Sequence, residues 1–309
     1  MTAATTTRND PRLRWAVGLA VLLHGALLAS GSFRDTYDAW VHIFFGDHYA
    51  RDWFSTWEPR WYTGFTVASY PPATHQGIGM LSGLVGLQWA YVLIMLSAIA
   101  NLVVGVYRFS LLWVSRTAAG WAAVFAAVSS SLAEVVHTFG QLPTTFALGF
   151  LLHAQPSIFR WIRDGGRSEL ASAIALLAAT TAGHHVTTLF GSVFFTGPVA
   201  VRALLDRWRV PLPGEPAGHG SEFHRDLLLP SAARRLRRIL RPITRVVGLG
   251  ALAVATLIIV VLPYWLWSSS DPIVQVPIPH ASRHDFLDDR AAGLVFWVVP
   301  WLGILILVP

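Results

Sequence analysis

The chain has 309 residues, of which 54% are hydrophobic and only 13% charged, with a mean hydropathy of +0.50. Soluble domains carry roughly 25% charged residues, so this composition excludes an ordinary soluble domain and points to a membrane. There is no cysteine, which excludes disulfides, thiolate metal sites and a cysteine nucleophile, and the net charge of +6 rests on arginines beside apolar stretches, where they orient a protein in a bilayer rather than bind nucleic acid.

A helix needs about 20 apolar residues to cross the hydrocarbon core. The first such stretch is 14–31, preceded by Arg8, Arg12 and Arg14 and ending in ALLASG. It shares these features with a secretory signal, but it is long and leads straight into an organised loop. It is therefore expected to stay as an anchor. Further spans are expected near 88–114, 118–136, 142–162, 169–184, 186–204, 246–267 and 291–309. The stretch 74–86 is short and Gly-rich, and reads as a juxtamembrane or re-entrant segment.

The expected fold class is an all-α polytopic membrane protein with about eight transmembrane helices. Residues 1–201 form an N-terminal transmembrane module with a large first extracytoplasmic loop at 32–75. Residues 202–245 form a basic cytoplasmic loop, and 246–309 supply further spans that stop without flanking charge, as in a chain truncated at its C-terminus. With the N-terminus cytoplasmic and each span crossing once, the cytoplasmic side collects 18 of the 23 arginines and 7 of the 17 acids. That asymmetry fits a multi-pass plasma-membrane protein in this orientation. Within the basic loop, 211–220 reads as flexible linker. RRLRRILRPITR sets Leu236, Ile239, Leu240 and Ile243 at helical spacing among arginines, either as an interfacial helix near anionic lipids or as a solvated linker.

The first loop concentrates the chemistry. Asp35, Asp38 and His42 are spaced i, i+3, i+7, which would place them on one side of a helix, with Trp40, Val41, Phe44 and Phe45 on another. On the same membrane face, Glu134 and His137 end the third span, Gln141 opens the fourth, and His184 and His185 lie in the turn between the fifth and sixth. Each has a plain structural alternative: Asp38 as a helix cap, Glu134 in an ion pair with Arg60, the histidine pair as a polar turn. Convergence of ionisable groups on one face of a bilayer favours a site. Trp53, Trp57, Trp61, Tyr62 and Tyr70 form either an interfacial aromatic belt or a wall for a sugar ring.

Asp35 and Asp38 soon after the first span, Trp57-Glu58-Pro59-Arg60-Trp61 with Gly64, and Tyr70-Pro71-Pro72 together resemble the GT-C class of integral membrane glycosyltransferases. The branch most resembled is that of the 6-pyruvoyl-tetrahydropterin-synthase-related membrane proteins, which despite that label is not a pterin enzyme. GQLPTTFAL at 140–148 and Gly183-His184-His185 fit it too, and the resemblance covers roughly residues 14 to 190. It implies a polyprenyl-phosphate sugar as donor, membrane lipids as surroundings and a loop-one aspartate at the reacting centre. That role falls to Asp35 or Asp38, with Glu134 in a second polar cluster. Many members carry an aspartate pair there, where this chain has Glu134 with His137.

Glycosyl transfer needs a base for the acceptor hydroxyl while the lipid phosphate leaves. A carboxylate near the headgroup plane can serve, its pKa raised by partial desolvation. Arg34, Arg60 or a histidine (His42, His137, His184 or His185) could supply donors to the phosphate, and Trp57, Trp61, Tyr70 and Gln141 could hold substrate. No cofactor is demanded. A divalent metal held by Asp35, Asp38 and a histidine stays open, without a tight zinc signature. The alternative function is a transporter or lipid flippase, with His24, His153 and Gln155 lining a polar path, although no internal repeat supports it.

Overall fold

The structure is a computed structural model that describes residues 10–61, 64–67, 71–208, 240–255 and 257–258. It is mostly helical, and its one sheet among the described residues is a two-stranded antiparallel ribbon in the first loop.

Helix α1 (Pro11–Ala29) starts where the Asp10 carboxylate accepts the Arg12 N–H at 3.0 Å, with Pro11 in the first turn. It buries one narrow stripe, Ala16, Ala20, His24 and Leu28, at four-residue spacing, and leaves Trp15 and Leu22 outward. Helix α1 packs on α5 (Arg116–Ala127), whose buried Ala119, Gly120, Ala123 and Ala127 are all small. Without side-chain bulk the two backbones approach closely, and a Cβ on Gly120 would stand 2.8 Å from the Arg12 side chain. Helix α4 (Leu87–Ser110) lies against both.

After α1 the chain makes a 3-10 turn, Ser32–Asp35, and then α2 (Ala39–Arg51). Strands β1 (Trp57–Glu58) and β2 (Phe65–Thr66) pair as Trp57 with Thr66 and Glu58 with Phe65. Helix α3 (Ala73–Val85) spans 13 residues, too few to cross a bilayer, in keeping with the juxtamembrane reading of 74–86. Beyond α5, Ser129 caps the short α6 (Ser130–His137), accepting the Leu132 N–H at 3.2 Å, so the helix is re-capped within the expected third span, which stays one apolar stretch over Arg116–His137.

Helix α7 (Leu142–Asp164) is central: α4, α8 (Arg167–Gly183) and α10 (Gly197–Trp208) all pack on it. Gly105 and Gly149 mark its crossing with α4, where a Cβ on Gly105 would stand 3.0 Å from the Gly149 carbonyl. Between α8 and α10 lie α9 (His185–Gly191) and a π turn, Ser192–Thr196. A last helix over 240–255 docks beside the end of α7, where Arg245 donates to the Ile162 and Arg163 carbonyls at 3.3 and 3.2 Å. These are carbonyls that the helix end leaves without internal donors.

Contacts define two ends of the bundle. At one, the Tyr107 hydroxyl donates to Asp10 at 3.2 Å, Arg116 lies 3.9 Å from the same carboxylate, and Arg160 pairs with Glu169 at 2.9 Å. At the other, the Tyr91 hydroxyl donates to the Gly140 carbonyl at 3.4 Å beside the 3-10 turn, α2 and the α6–α7 turn. Helices α1, α4, α5–α6, α7 and α8 each run once between these ends.

Among the described residues four helical stretches are long and apolar enough to cross a membrane: Pro11–Ala29, Leu87–Ser110, Arg116–His137 and His185–Arg207. The expected count of eight is thus met in part. The span expected at 142–162 is helical but carries His153, Gln155 and Pro156, and it lies in the middle of the bundle. The span expected at 169–184 is helical over 17 residues only. That expected at 291–309 lies outside the described residues, as do 211–220 and, within 246–267, residues 256 and 259–267.

Gly140 fixes the join between the first loop and α7. Its φ is +69°, and a Cβ there would meet the Thr36 hydroxyl at 2.5 Å and the Ala39 nitrogen at 3.0 Å. Gly140→Ala is expected to cost about 2 kcal/mol from left-handed backbone strain plus displacement of Thr36. A thermal melt in detergent checks this, and an unchanged Tm would remove Gly140 from the account of how the loop is held.

Candidate active site

The first loop is folded around one carboxylate. Glu58 is fully buried, and its oxygens accept from the Arg60 backbone N–H at 2.9 Å, Arg60 Nε at 2.8 Å, Arg60 Nη2 at 2.9 Å and Arg51 Nη2 at 3.1 Å. His48 Nδ1 adds a contact at 3.1 Å, while His48 Nε2 lies 2.9 Å from the Ser55 carbonyl. Arg51 and Arg60 also share Asp47, at 3.1 and 2.8 Å. A buried charge needs this much compensation. Trp57 lies against Gly64, whose φ is +132° and whose Cβ would stand 1.9 Å from the indole. Trp61 packs on Phe44 and Phe45, with centroids 5.0 and 5.5 Å apart. The Trp-Glu-Pro-Arg-Trp motif is therefore the knot that folds the loop, and Arg60 is committed to Glu58 and Asp47 rather than to Glu134.

Asp38 stands at the start of α2 without capping it. Thr36 Oγ1 accepts the Ala39 N–H instead, at 3.3 Å. Two backbone bonds strap this stretch to the α6–α7 turn, Tyr37 N–H to the Thr138 carbonyl at 3.2 Å and Asp38 N–H to the Phe139 carbonyl at 3.1 Å. They bring the Asp38 carboxylate onto Gln141, whose Nε2 donates to Oδ2 in a short hydrogen bond. Gln141 Oε1 accepts from the Thr144 hydroxyl at 3.1 Å, which orients the amide from both sides. Thr144 Oγ1 is 3.5 Å from His184 Nδ1, which also meets the Thr187 hydroxyl at 2.8 Å. Three separate segments thus join in one polar chain: loop one, the start of α7 and the α8–α9 turn.

His42 does not join Asp38 through its side chain. Its Nδ1 lies 3.0 Å from His75 Nε2, and both rings are buried. His75 also hydrogen-bonds the Pro71 carbonyl. A carbonyl only accepts, so His75 is protonated on its other nitrogen and receives the His42 N–H on Nε2. Burial above all, with His75 and His184 nearby, holds His42 well below the usual histidine pKa, and burial pushes His75 down to about 3. The unfolded chain takes up protons as pH falls through about 6.5, whereas the folded pair resists them. Stability is therefore complete above about pH 7 and is lost on acidification, by about 1.4 kcal/mol per pH unit for His75 alone between roughly pH 6 and 4. The apparent Tm in detergent should fall from pH 7 to pH 5, and His75→Gln should flatten that fall. A flat wild-type profile would contradict the buried neutral pair.

Other sequence candidates are dispersed. Asp35 lies in the 3-10 turn before α2 begins, so the expected shared face of Asp35, Asp38 and His42 does not form. Its carboxylate is exposed and has no partner among the described residues. Glu134 is likewise exposed on α6. His185 sits beside His184, with centroids 6.1 Å apart. Tyr70 lies outside the described residues, as does Tyr62. Arg34 Nη2 donates to Gln88 Oε1 at 3.1 Å on the wall of a cavity of about 130 Å³, also lined by Leu28, Gly31, Phe33, Trp89 and Val92. His137 is taken by His24 and Ser32, at 2.9 and 3.0 Å.

Among the described residues no group of three His, Asp or Glu is placed to hold a metal ion. The three residues of the transport alternative each have local partners. His24 bonds the Ala127 carbonyl at 3.0 Å, His153 bonds Arg108 and the Asn101 carbonyl at 2.9 and 3.1 Å, and Gln155 bonds the Leu151 carbonyl and Thr196 at 2.9 and 3.2 Å. No hydrogen bond among the described residues links one of the three to another. His75 and Thr144 were missed in the sequence, because neither has a charge or spacing that marks it. No protein family, curated protein or solved structure matches this chain.

Proposed function

We propose that this chain is an integral membrane glycosyltransferase of GT-C type, using a polyprenyl-phosphate sugar and an acceptor on the extracytoplasmic side. The observation that carries the reading is the hydrogen-bonded chain Asp38–Gln141–Thr144–His184 at one end of an apolar bundle. Asp38 takes the proton of the acceptor hydroxyl as its oxygen attacks the anomeric carbon. The bond from that carbon to the phosphate oxygen breaks, and polyprenyl phosphate leaves. Arg34, on a cavity with apolar walls from Leu28 and Val92, is suited to the phosphate while lipid lies on the apolar side. The motif resemblance in loop one supports the same class.

The orientation belongs to this proposal. Arg12, Arg108, Arg116, Arg160, Arg163 and Arg167 gather at the end opposite Asp38, which favours that end as cytoplasmic. Single cysteines at Asp52 and Thr117 test it in a chain that has none. An impermeant maleimide should label Asp52→Cys in intact cells and Thr117→Cys only after lysis. The reverse pattern would put the proposed site on the wrong side for an extracytoplasmic acceptor.

A further inference from the structure

A second constellation lies where α1, α6 and the 3-10 turn meet, and the glycosyl-transfer reading makes no use of it. His24 Nε2 is 3.0 Å from the Ala127 carbonyl, His24 Nδ1 is 2.9 Å from His137 Nε2, and His137 Nδ1 is 3.0 Å from Ser32 Oγ. The two imidazole planes differ by 6°, with centroids 5.2 Å apart. With 2.9 Å between the facing nitrogens, the rings therefore meet edge to edge, as an in-line N–H···N bond requires.

Every proton in this chain has one allowed place while both rings are neutral. The Ala127 carbonyl can only accept, so His24 carries its proton on Nε2 and its Nδ1 is an acceptor. His137 must then donate from Nε2, which leaves its Nδ1 as an acceptor. The Ser32 hydroxyl therefore donates to His137. This is the arrangement of an activated nucleophile: a hydroxyl on a base, and the base oriented by a third group. Ala127 is also the last residue of α5, whose carbonyl end carries partial negative charge. A proton relayed to His24 comes to rest against that end.

We propose that Ser32 is a nucleophilic serine served by His137 as its base and by His24 as a positioning residue, acting on acyl esters presented at this end of the bundle. Ser32 Oγ forms a bond to the ester carbonyl carbon as its proton passes to His137 Nδ1, and the Nε2 proton of His137 shifts to His24. On collapse of the tetrahedral adduct the carbon–oxygen bond to the alcohol breaks, and the proton returns through His137 to the leaving alkoxide. Water then cleaves the acyl-serine by the same proton route. Gly31 and Phe33, on either side of Ser32, wall the cavity that holds Arg34, Trp89 and Leu28. Ser32 itself is half-buried, so a reagent can reach it.

The test needs no natural substrate. In the full chain in detergent, a fluorophosphonate probe should label wild type on Ser32, with labelling absent in Ser32→Ala and at least about 10²-fold slower in His137→Gln, the lower end of the range for removal of a general base. Ser32→Cys gives a single thiol in a cysteine-free chain. A histidine beside a thiol favours the thiolate. At pH 6.5 that cysteine should react with iodoacetamide about tenfold faster than one placed at Ser30, and adding His137→Gln should abolish the advantage. Adding His24→Gln should shift the pH dependence of alkylation upward without changing the melting temperature, which a purely structural histidine would not do. Wild type that stays unlabelled, with a Ser32→Cys thiol no faster than the Ser30→Cys thiol, would overturn the proposal.

Discussion

Asp38→Asn is expected to lower sugar transfer by about 10²–10⁴-fold, the range for loss of a general base. Expression and Tm should stay near wild type, because the amide keeps the size and an oxygen that can still accept from Gln141 Nε2. Asp35→Asn is the matched control, since its side chain is exposed and has no partner among the described residues. It should retain most activity. Gln141 acts through Asp38, and its donated hydrogen bond favours the ionised carboxylate. Gln141→Leu removes that donor and raises the carboxylate pKa, so the acid limb of the pH–rate profile should move to higher pH. Full activity in Asp38→Asn, or an unmoved limb in Gln141→Leu, would leave this carboxylate a structural group.

Glu58→Ala is the second large effect, and it concerns folding. The substitution leaves His48, Arg51 and Arg60 around a buried hole with their common acceptor gone. Removing one partner of a buried ionic network costs about 3–5 kcal/mol. Arg51 and Arg60 keep side-chain exposures of 48% and 42% and can turn to water or Asp47, which places the expected loss near the lower bound, about 3 kcal/mol. Thermal unfolding in detergent and limited proteolysis between 52 and 64 should report it together: a lower Tm and faster cutting. Glu58→Gln keeps one accepting oxygen but turns an N–H₂ group toward donors, so it should fall between Ala and wild type. Wild-type Tm and protease resistance in Glu58→Ala would mean that loop one is held by its aromatic contacts alone.

Hydrophobic length was the legible part of this sequence. It located α1, α4 and the α9–α10 stretch closely, because each is apolar over enough residues to dominate its neighbourhood. It also located the stretch Arg116–His137, but it did not show that Ser129 caps a new helix inside that continuous apolar run. The site was legible in its ends and illegible in its wiring. Asp38, Gln141 and His184 were singled out as polar groups on one face, and they do join. The i, i+3, i+7 spacing of Asp35, Asp38 and His42 misled, because Gly31 and the 3-10 turn start the loop in another geometry, and α2 begins only at Ala39. Arg60 read as a phosphate donor, yet Glu58, two residues earlier, claims it. His75 and Ser32 could not be found by pattern, since their roles depend on partners 33 and 105 residues away.

The most direct measurement follows the lipid product rather than the unknown acceptor. Purified full-length protein in vesicles, given a panel of polyprenyl-phosphate sugars and an extract of cell-envelope acceptors, should release polyprenyl monophosphate from at least one donor. Release should fall in Asp38→Asn by the factor given above and persist in Asp35→Asn. Release from no donor by a well-folded preparation, or release that is equal in wild type and Asp38→Asn, would contradict the account.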